Sequence, residues 1–218
     1  MGLIGGSICK SIKAATSHAV YGCDVQQAVL DDAIADGAID GTGTMTDGTY
    51  DMIILCLHQR IAIQMVQEAL PKIPAGTILV DTCGLKGRMV RDLTYRCRKA
   101  DVRYVGTHPM AGREKNGYYA SIPNLFQNAN LIVTPVDGTD EAALDTVKEL
   151  ADQMGFGKIV TATPMWHDNM IAYPSQLAHV VSSSYVKDFC MDDALSFSGG
   201  SFQDMTRVAT MDESMWAA

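Results

Sequence analysis

The sequence predicts an α/β protein in which a doubly wound, mostly parallel sheet is followed by an all-helical domain. Short apolar runs alternate with amphipathic helical patterns over the first 163 residues, which is typical of strands joined by crossover helices. The strand patterns stop before Pro164, and only helical patterns follow. Since 47% of the 218 residues are hydrophobic and 19% are charged, the chain has ample apolar material for a core. We therefore expect domains at 1–163 and 164–218.

The elements of the first domain follow from the spacing of apolar residues, which recur every three or four positions in helices and form short runs in strands. In chain order we predict a helix at 8–15, a strand at 18–24, a helix at 28–34, a strand at 52–57, a helix at 61–70, a strand at 77–81, a helix at 89–97, strands at 103–106 and 130–134, a helix at 144–154 and a strand at 158–163. The second helix should stop near Gly37 and the third at Pro71. The strand at 52–57 should be buried on both faces. In the second domain we expect breaks at Pro174 and at 198–200.

Composition and charge exclude several classes of protein. The net charge of −8 argues against a general nucleic-acid binder. The longest purely apolar run, at 52–57, is six residues, far below the roughly 20 that a membrane span requires. The first residues lack the charged start and long apolar core of a signal peptide, and the six cysteines show no C-x-x-C spacing. We expect a cytoplasmic protein with reduced thiols, no metal site and no membrane segment.

The chain begins with a glycine-rich turn, GLIGGS at 2–7, that leads straight into a helix. Glycines let a backbone approach a pyrophosphate, and a helix N-terminus supplies N–H donors and a positive dipole. Asp24 ends the next strand, where the dinucleotide-binding fingerprint of Rossmann-like domains has an acid for the ribose hydroxyls. An acid there disfavours the extra phosphate of NADP, so we expect NAD as cofactor. A glycine-rich turn without a ligand is the alternative.

The polar stretch GTHPMAGREKNGYYAS at 106–121 follows a predicted strand, and loops at the carboxyl ends of strands form the ligand crevice of α/β sheets. His108 is a candidate general base, because imidazole titrates near neutral pH. A histidine that caps a turn is the alternative. Arg113 and Lys115 are candidates for anion binding, or else solvated surface charges.

Five blocks of sequence resemble the prephenate dehydrogenase family. They are GLIGGS at 2–7, VDTCGLKG at 80–87, the stretch at 106–121 with LF at 125–126 and IVTP at 132–135, HDNMIAYPSQLAH at 167–179, and GGSFQDMTRVA at 199–209. The resemblance implies an NAD-dependent oxidoreductase of tyrosine biosynthesis, which converts prephenate and NAD⁺ into 4-hydroxyphenylpyruvate, CO₂ and NADH. It also implies a homodimer formed through the helical domain.

The resemblance assigns roles to particular residues. It implies that His108 engages the 4-hydroxyl of the substrate, that Arg207 binds the ring carboxylate, and that His167 anchors the side chain. Gln176 is a candidate substrate neighbour. Because His108 must be neutral to accept a hydrogen bond, activity should fall at low pH. The expected cofactor contacts are Gly2, Leu3, Ile4, Gly5, Asp24 and Thr82. Local positive charge that attracts the anionic substrate is expected from Lys86, Arg113, Lys115 and Arg207.

Some positions depart from the family pattern. Gly84 stands where many members have a serine, so that hydroxyl is missing, and Thr82 is a possible substitute. Cys83 is expected to be a small packing residue rather than a nucleophile. Gly2 and Gly5 match the second and third glycines of the fingerprint G-x-G-x-x-G, while its first glycine and the first strand would precede Met1. We thus expect a Rossmann-like domain without its first strand and a helical domain truncated at its C-terminal end.

Three alternatives remain open from the sequence. The substrate can be arogenate, or both cyclohexadienyl compounds, since arogenate carries an amine where prephenate carries a keto group. The 218 residues can also be a poorly active fragment of such an enzyme. A dehydrogenase of the β-hydroxyacid or 6-phosphogluconate kind shares the architecture, but not HPMAGREKNG or FQDMTR.

Overall fold

A computed structural model describes residues 1–48, 50–187, 196–207 and 209. They form two compact units, Met1–His167 and Asp168–Ala218. Among these residues, no helix is both long and apolar enough to cross a membrane.

Helices and strands alternate through the first unit, and the described part of the second unit is helical. The helices are α1 (Leu3–Ala15), α2 (Gln27–Ala35), α3 (Gln59–Ala69), α4 (Gly87–Lys99), α5 (Glu141–Gln153), α6 (Pro164–Ile171), α7 (Leu177–Tyr185) and α8 (Gly200–Arg207). The strands are β1 (Tyr21–Gly22), β2 (Gly41–Thr42), β3 (Met52–Leu55), β4 (Ile78–Asp81), β5 (Arg103–Met110), β6 (Asn130–Val133) and β7 (Lys158–Thr161). Every helix and strand predicted for the first domain is present, whereas the short strand β2 had no predicted counterpart.

The main sheet has five strands in the order β3-β4-β5-β6-β7. Strands β3, β4 and β5 run parallel, as do β6 and β7, but β5 and β6 are antiparallel. Strands β1 and β2 form a separate parallel pair. The predicted doubly wound, mostly parallel sheet is confirmed.

Helices cover both faces of the sheet, and the alternation of side chains along β4 shows how. Leu79 packs with residues of α3 and α4, including Val66 and Leu93, on one face. Its neighbours on the strand point the other way, and Val80 packs against Val147 of α5. A sheet buried on both faces explains why β4 is apolar throughout before its final aspartate.

Local signals set the helix ends. Gly37 adopts a positive φ of 68° just after α2, as the prediction required. After α3, Pro71 lies in a 3-10 turn, Leu70–Lys72, that ends the helix. Thr163 caps α6, because its hydroxyl accepts a hydrogen bond from the N–H of Trp166 at 3.2 Å, and Pro164 fills the first helical position.

Two local predictions differ from the structure. Strand β3 packs on both faces of the sheet, with Ile53 on one and Met52 and Ile54 on the other, but these three residues stay partly exposed at the outer edge of the five-stranded sheet. The stretch from 106 is not a loop at first, because β5 continues to Met110 and pairs with β6 there. Pairing of β4 with β5 ends at Gly106, so the missing N–H of Pro109 costs no bond to β4.

The second unit contains α7 and α8. The α-helix is interrupted at Pro174, as predicted, but the chain stays helical, because a π-helical segment, Ala172–Gln176, leads into α7. The hydroxyl of Ser182 on α7 donates to the carbonyl oxygen of Met205 on α8 at 2.5 Å. The predicted break at Ser198 and Gly199 is present, immediately before α8.

Candidate active site

The start of α1 has the properties of a dinucleotide site. Gly2 precedes the helix without a side-chain cap, the first turn contains no acidic residue, and a Cβ on Gly2 would meet no atom within 4 Å. The first N–H groups of the helix therefore have room for an anion and a favourable dipole. A Cβ on Gly5 would lie 3.3 Å from the Cβ of Cys56, just after β3, which is the close packing that the third fingerprint glycine allows. These residues fit a bound dinucleotide.

Asp24 follows β1 and is mostly buried. Its Oδ1 accepts the N–H of Gln26 at 2.9 Å, and its Oδ2 pairs with the ammonium group of Met1. Burial acts to raise the pKa of Asp24, but the Met1 ammonium and the backbone N–H groups of Gln26 and Val25 outweigh it and lower the pKa. The side chain is thus a carboxylate at neutral pH.

Thr82 follows β4 at the same edge of the sheet. Its hydroxyl donates to the carbonyl oxygen of Leu55, the last residue of β3, at 3.1 Å. The hydroxyl therefore joins the carboxyl ends of two neighbouring strands at the crevice where α/β sheets bind ligands. Thr82 lies beside Gly84, and a Cβ on Gly84 would stand 3.9 Å from both Cε1 and Nε2 of His108.

His108 lies on β5 and contacts His167 of α6. Its Nδ1 is 2.9 Å from Nε2 of His167, and the two rings meet edge to face. His108 is half-buried, whereas His167 is only 2% exposed. One of the two facing nitrogens must carry the hydrogen and the other must accept it, so each ring determines the tautomer of the other.

Directly before His108, the chain is held by a buried polar cluster. Lys86 and Asp81 are both fully buried and form an ion pair, and Lys86 Nζ also donates to the carbonyl oxygen of Thr107. The hydroxyl of Tyr104 donates to Asp81 Oδ2 at 2.6 Å, and the N–H of Cys83 donates to Oδ1 at 2.8 Å. Burial and the carboxylate raise the pKa of Tyr104 well above its ordinary value, so its hydroxyl stays protonated.

The other side chains expected to supply positive charge differ in their exposure and in their contacts. Lys86 does not supply positive charge at the surface, because its ammonium group is buried against Asp81. Arg113 is exposed, but its Nη1 donates to the carbonyl oxygen of Ala120 at 2.7 Å, which braces the 111–117 loop. Lys115 is exposed in the same loop.

Two further expected site residues belong to the second unit. Gln176 is half-buried at the end of the π-helical segment, and Arg207 is exposed at the last residue of α8. Their contact with substrate stays a prediction. Val208 of the GGSFQDMTRVA block and Cys190 lie outside the described residues.

The supporting cluster of Asp81, Tyr104 and Thr107 was missed by sequence reasoning. A signal existed in ILVDTCGLK, where an aspartate ends a fully apolar strand and a lysine follows five residues later. A charge at the end of a buried strand needs a partner, and Lys86 is within reach of the turn. Gly6 was also missed, since a Cβ there would stand 2.8 Å from atoms of Ser121 and Tyr118.

The fold and site together have the features of the dinucleotide-binding class of proteins, with a histidine at the carboxyl edge of the sheet. The chain belongs to the prephenate dehydrogenase family. Residues 8–161 match the family's nucleotide-binding domain, and residues 163–218 match its dimerization domain. The resemblance seen in the sequence motifs is thereby confirmed.

Relatives with assigned activities span more than one substrate. The chain is 28% identical to prephenate dehydrogenase of Bacillus subtilis over 225 residues, covering 99% of this chain and 60% of that protein. It is 30% identical to cyclohexadienyl dehydrogenase of Zymomonas mobilis, covering 99% of this chain and 76% of that one. This chain therefore spans about three fifths of the length of the Bacillus protein.

Solved structures with the same fold are known. Prephenate dehydrogenase from Aquifex aeolicus, in complex with hydroxyphenyl propionate and NAD⁺, superposes with a TM-score of 0.83 at 29% identity, covering 99% of this chain and 78% of that one. Synechocystis arogenate dehydrogenase has a TM-score of 0.82 at 24% identity, covering 99% and 79% of the two chains, and shows the same fold.

Proposed function

We propose that this chain oxidises and decarboxylates prephenate with NAD⁺, giving 4-hydroxyphenylpyruvate, CO₂ and NADH. The observation that carries the proposal is the pairing of His108 with the buried His167 at the end of the parallel sheet. In this reaction hydride leaves the ring carbon that bears the hydroxyl, the ring carboxylate leaves as CO₂, and the ring becomes aromatic. A neutral acceptor at the hydroxyl assists, because that oxygen gains carbonyl character as hydride departs.

The histidine pair supplies such an acceptor. Nε2 of His108 can accept a hydrogen bond from the substrate hydroxyl only if the ring hydrogen is on Nδ1. Nδ1 then donates to Nε2 of His167, which is 2.9 Å away. Burial keeps His167 in place, so its Nε2, acting as the acceptor, would hold the ring of His108 in the required tautomer and orientation. The product is a phenol, so the hydroxyl proton is shared with His108 and need not be lost.

The cofactor proposed is NAD⁺, which accepts the hydride when bound. The open N-terminus of α1 at Gly2, Leu3, Ile4 and Gly5 would hold the pyrophosphate. The Asp24 carboxylate would accept hydrogen bonds from the ribose hydroxyls and repel the extra ribose phosphate of NADP⁺. Thr82, at the carboxyl end of β4, would border the nicotinamide side of the crevice.

Two residues of the second unit are also proposed to bind the substrate. The guanidinium of Arg207 would donate two parallel hydrogen bonds to the ring carboxylate, and Gln176 would neighbour the substrate. His167 was expected to anchor the substrate side chain, but its Nε2 faces His108 in this structure. We propose that orienting His108 is the principal role of His167.

Replacing His108 by Asn tests the proposed function. His108→Asn should lower turnover of prephenate with NAD⁺ by about 100-fold or more, because the hydroxyl loses its acceptor. NAD⁺ affinity, measured by fluorescence titration, should be unchanged. His18→Asn is the control, since His18 is exposed. Equal turnover by His108→Asn and the unsubstituted chain would remove His108 from the reaction.

Arogenate is the second candidate substrate, favoured by the 30% identity to a cyclohexadienyl dehydrogenase. Steady-state turnover of prephenate and arogenate, each with NAD⁺ and with NADP⁺, separates the alternatives. We expect prephenate with NAD⁺ to give the highest kcat/KM. Better use of NADP⁺ would contradict the role given to Asp24.

We further propose a homodimer formed through the helical region, which matches a dimerization domain. Large apolar side chains of α7 support this, since Leu177, Val181 and Tyr185 are 46%, 45% and 49% exposed. Apolar groups in such a row favour burial against a partner. A cytoplasmic location stays a prediction.

A further inference from the structure

We propose that Lys86 is a positioning residue, which fixes the backbone before His108 and thereby the place of the reacting imidazole. This inference rests on the proposed function and extends it to a residue outside the substrate site. Lys86 is fully buried, and a buried ammonium is costly unless it is paired and hydrogen-bonded. Its contacts therefore show what the charge is used for.

The first contact is with Asp81, the last residue of β4. The carboxylate accepts from Lys86 Nζ, from the hydroxyl of Tyr104 at 2.6 Å and from the N–H of Cys83 at 2.8 Å. Three donors hold both oxygens of the Asp81 carboxylate in place. Asp81 is thus a rigid acceptor at the carboxyl edge of the sheet.

The second contact joins this anchor to the site. Pairing of β4 with β5 ends at Asp81 and Gly106, so β4 offers no strand partner to the next residue, Thr107. The ammonium of Lys86 donates instead to the carbonyl oxygen of Thr107. The Thr107 hydroxyl in turn donates to the carbonyl oxygen of Asp81 at 2.6 Å. Thr107 is thus held at its carbonyl oxygen and at its hydroxyl, and His108 is the next residue.

Position matters here because hydride transfer depends on alignment of the reacting groups. Displacement of a catalytic group by about 1 Å can cost on the order of 100-fold in rate. A lysine that served stability alone would lower the melting temperature and leave the imidazole of the folded protein unchanged. A positioning lysine changes the imidazole as well.

Two variants test the inference. Lys86→Met removes the ammonium and keeps most of the side-chain volume. Asp81→Asn combined with Lys86→Met removes both charges, so that no unpaired carboxylate is buried if the single variant fails to fold. We expect kcat for prephenate to fall about 10- to 100-fold, with the KM for NAD⁺ within twofold of the unsubstituted chain. Lys13→Met is the matched control, since Lys13 forms a surface pair with Asp40 at 2.7 Å.

Nuclear magnetic resonance of ¹⁵N-labelled histidine gives a readout that needs no substrate. The ring-nitrogen signals of His108, assigned with His108→Asn, should move in the folded Lys86 variant, while those of His18 stay in place. If the unsubstituted chain does not oxidise prephenate, the proposed function fails, and the His108 signals still decide the positioning role. Unmoved His108 signals, or a kcat within twofold of the unsubstituted chain in an active enzyme, would overturn the inference.

Discussion

At the scale of single residues, the Nε2 edge of His108 is bordered by a position that has no side chain. A Cβ added at Gly84 would lie 3.9 Å from Nε2, which is ordinary van der Waals contact. Gly84 is exposed and has no positive φ, so a side chain there is compatible with the backbone. The glycine therefore leaves space beside the imidazole.

Filling that space should affect turnover and leave stability nearly unchanged. Gly84→Ala is expected to lower kcat/KM for prephenate about 3- to 10-fold, because the methyl group narrows the approach to Nε2, whereas surface substitutions typically change stability by about 0.5 kcal/mol or less. Steady-state kinetics and thermal melting measure the two effects. Gly112→Ala is the control, since a Cβ there meets nothing within 4 Å. Unchanged kcat/KM in Gly84→Ala would place the substrate hydroxyl elsewhere.

The cysteines give a second prediction at this scale. Burial raises the pKa of Cys56, Cys83 and Cys97 to about 12, so their reactive thiolate forms are scarce at neutral pH. Cys23 is exposed. Among the described cysteines, iodoacetamide at mildly alkaline pH should therefore label Cys23 before Cys56, Cys83 and Cys97, which should be modified only after unfolding, as peptide mass spectrometry would show. Rapid labelling of Cys83 in the folded protein would contradict its assignment as a packing residue.

At the scale of elements, the packing of α1 depends on Gly6. A Cβ there would come within 2.8 Å of Ser121 Oγ and of the ring of Tyr118, and both residues are buried. Neither can move freely, because the Ser121 hydroxyl donates to the Tyr118 carbonyl oxygen and the Tyr118 hydroxyl donates to Asp36 at 2.9 Å. Close approach of α1 to this segment therefore requires glycine.

Gly6→Ala should shift α1 and weaken both the fold and cofactor binding. We expect a loss of about 1–3 kcal/mol in the free energy of unfolding, which is the usual cost of overpacking a core. NAD⁺ should also bind more weakly, since the start of α1 forms the proposed pyrophosphate site. Urea unfolding and NAD⁺ titration measure these effects, again with Gly112→Ala as control. Full stability of Gly6→Ala would mean that the 118–121 segment yields easily.

The sequence predicted the longer elements well, because each of them shows its own periodicity, whereas the two-residue strand β2 is too short to show one. It did not predict that β5 runs on through His108 to Met110, because Pro109 normally marks the end of a strand. Only the antiparallel partner β6, distant in sequence, makes that extension favourable. His108 and the glycine turn were identified locally, whereas the contacts of Lys86 and His167 join residues 21 and 59 positions away and leave no local pattern.

At the scale of the whole molecule, the apolar row on α7 leads to a prediction about assembly. Leu177, Val181 and Tyr185 recur every four residues, so they lie along one side of the helix, and each remains between 45% and 49% exposed. Complete burial of such a side chain contributes about 1.5–3 kcal/mol, and since about half of each one is already covered, a partner would add roughly half of that amount per residue, which favours a self-complementary contact along this row. Leu177→Glu combined with Val181→Glu should convert the proposed dimer into monomers, as light scattering after size exclusion would show. Ser184→Glu adds one charge to the same helix at an exposed polar position and should remain dimeric.

If the double variant stays dimeric, the subunits associate through another surface. If the unsubstituted chain is monomeric at all concentrations, the homodimer proposal fails.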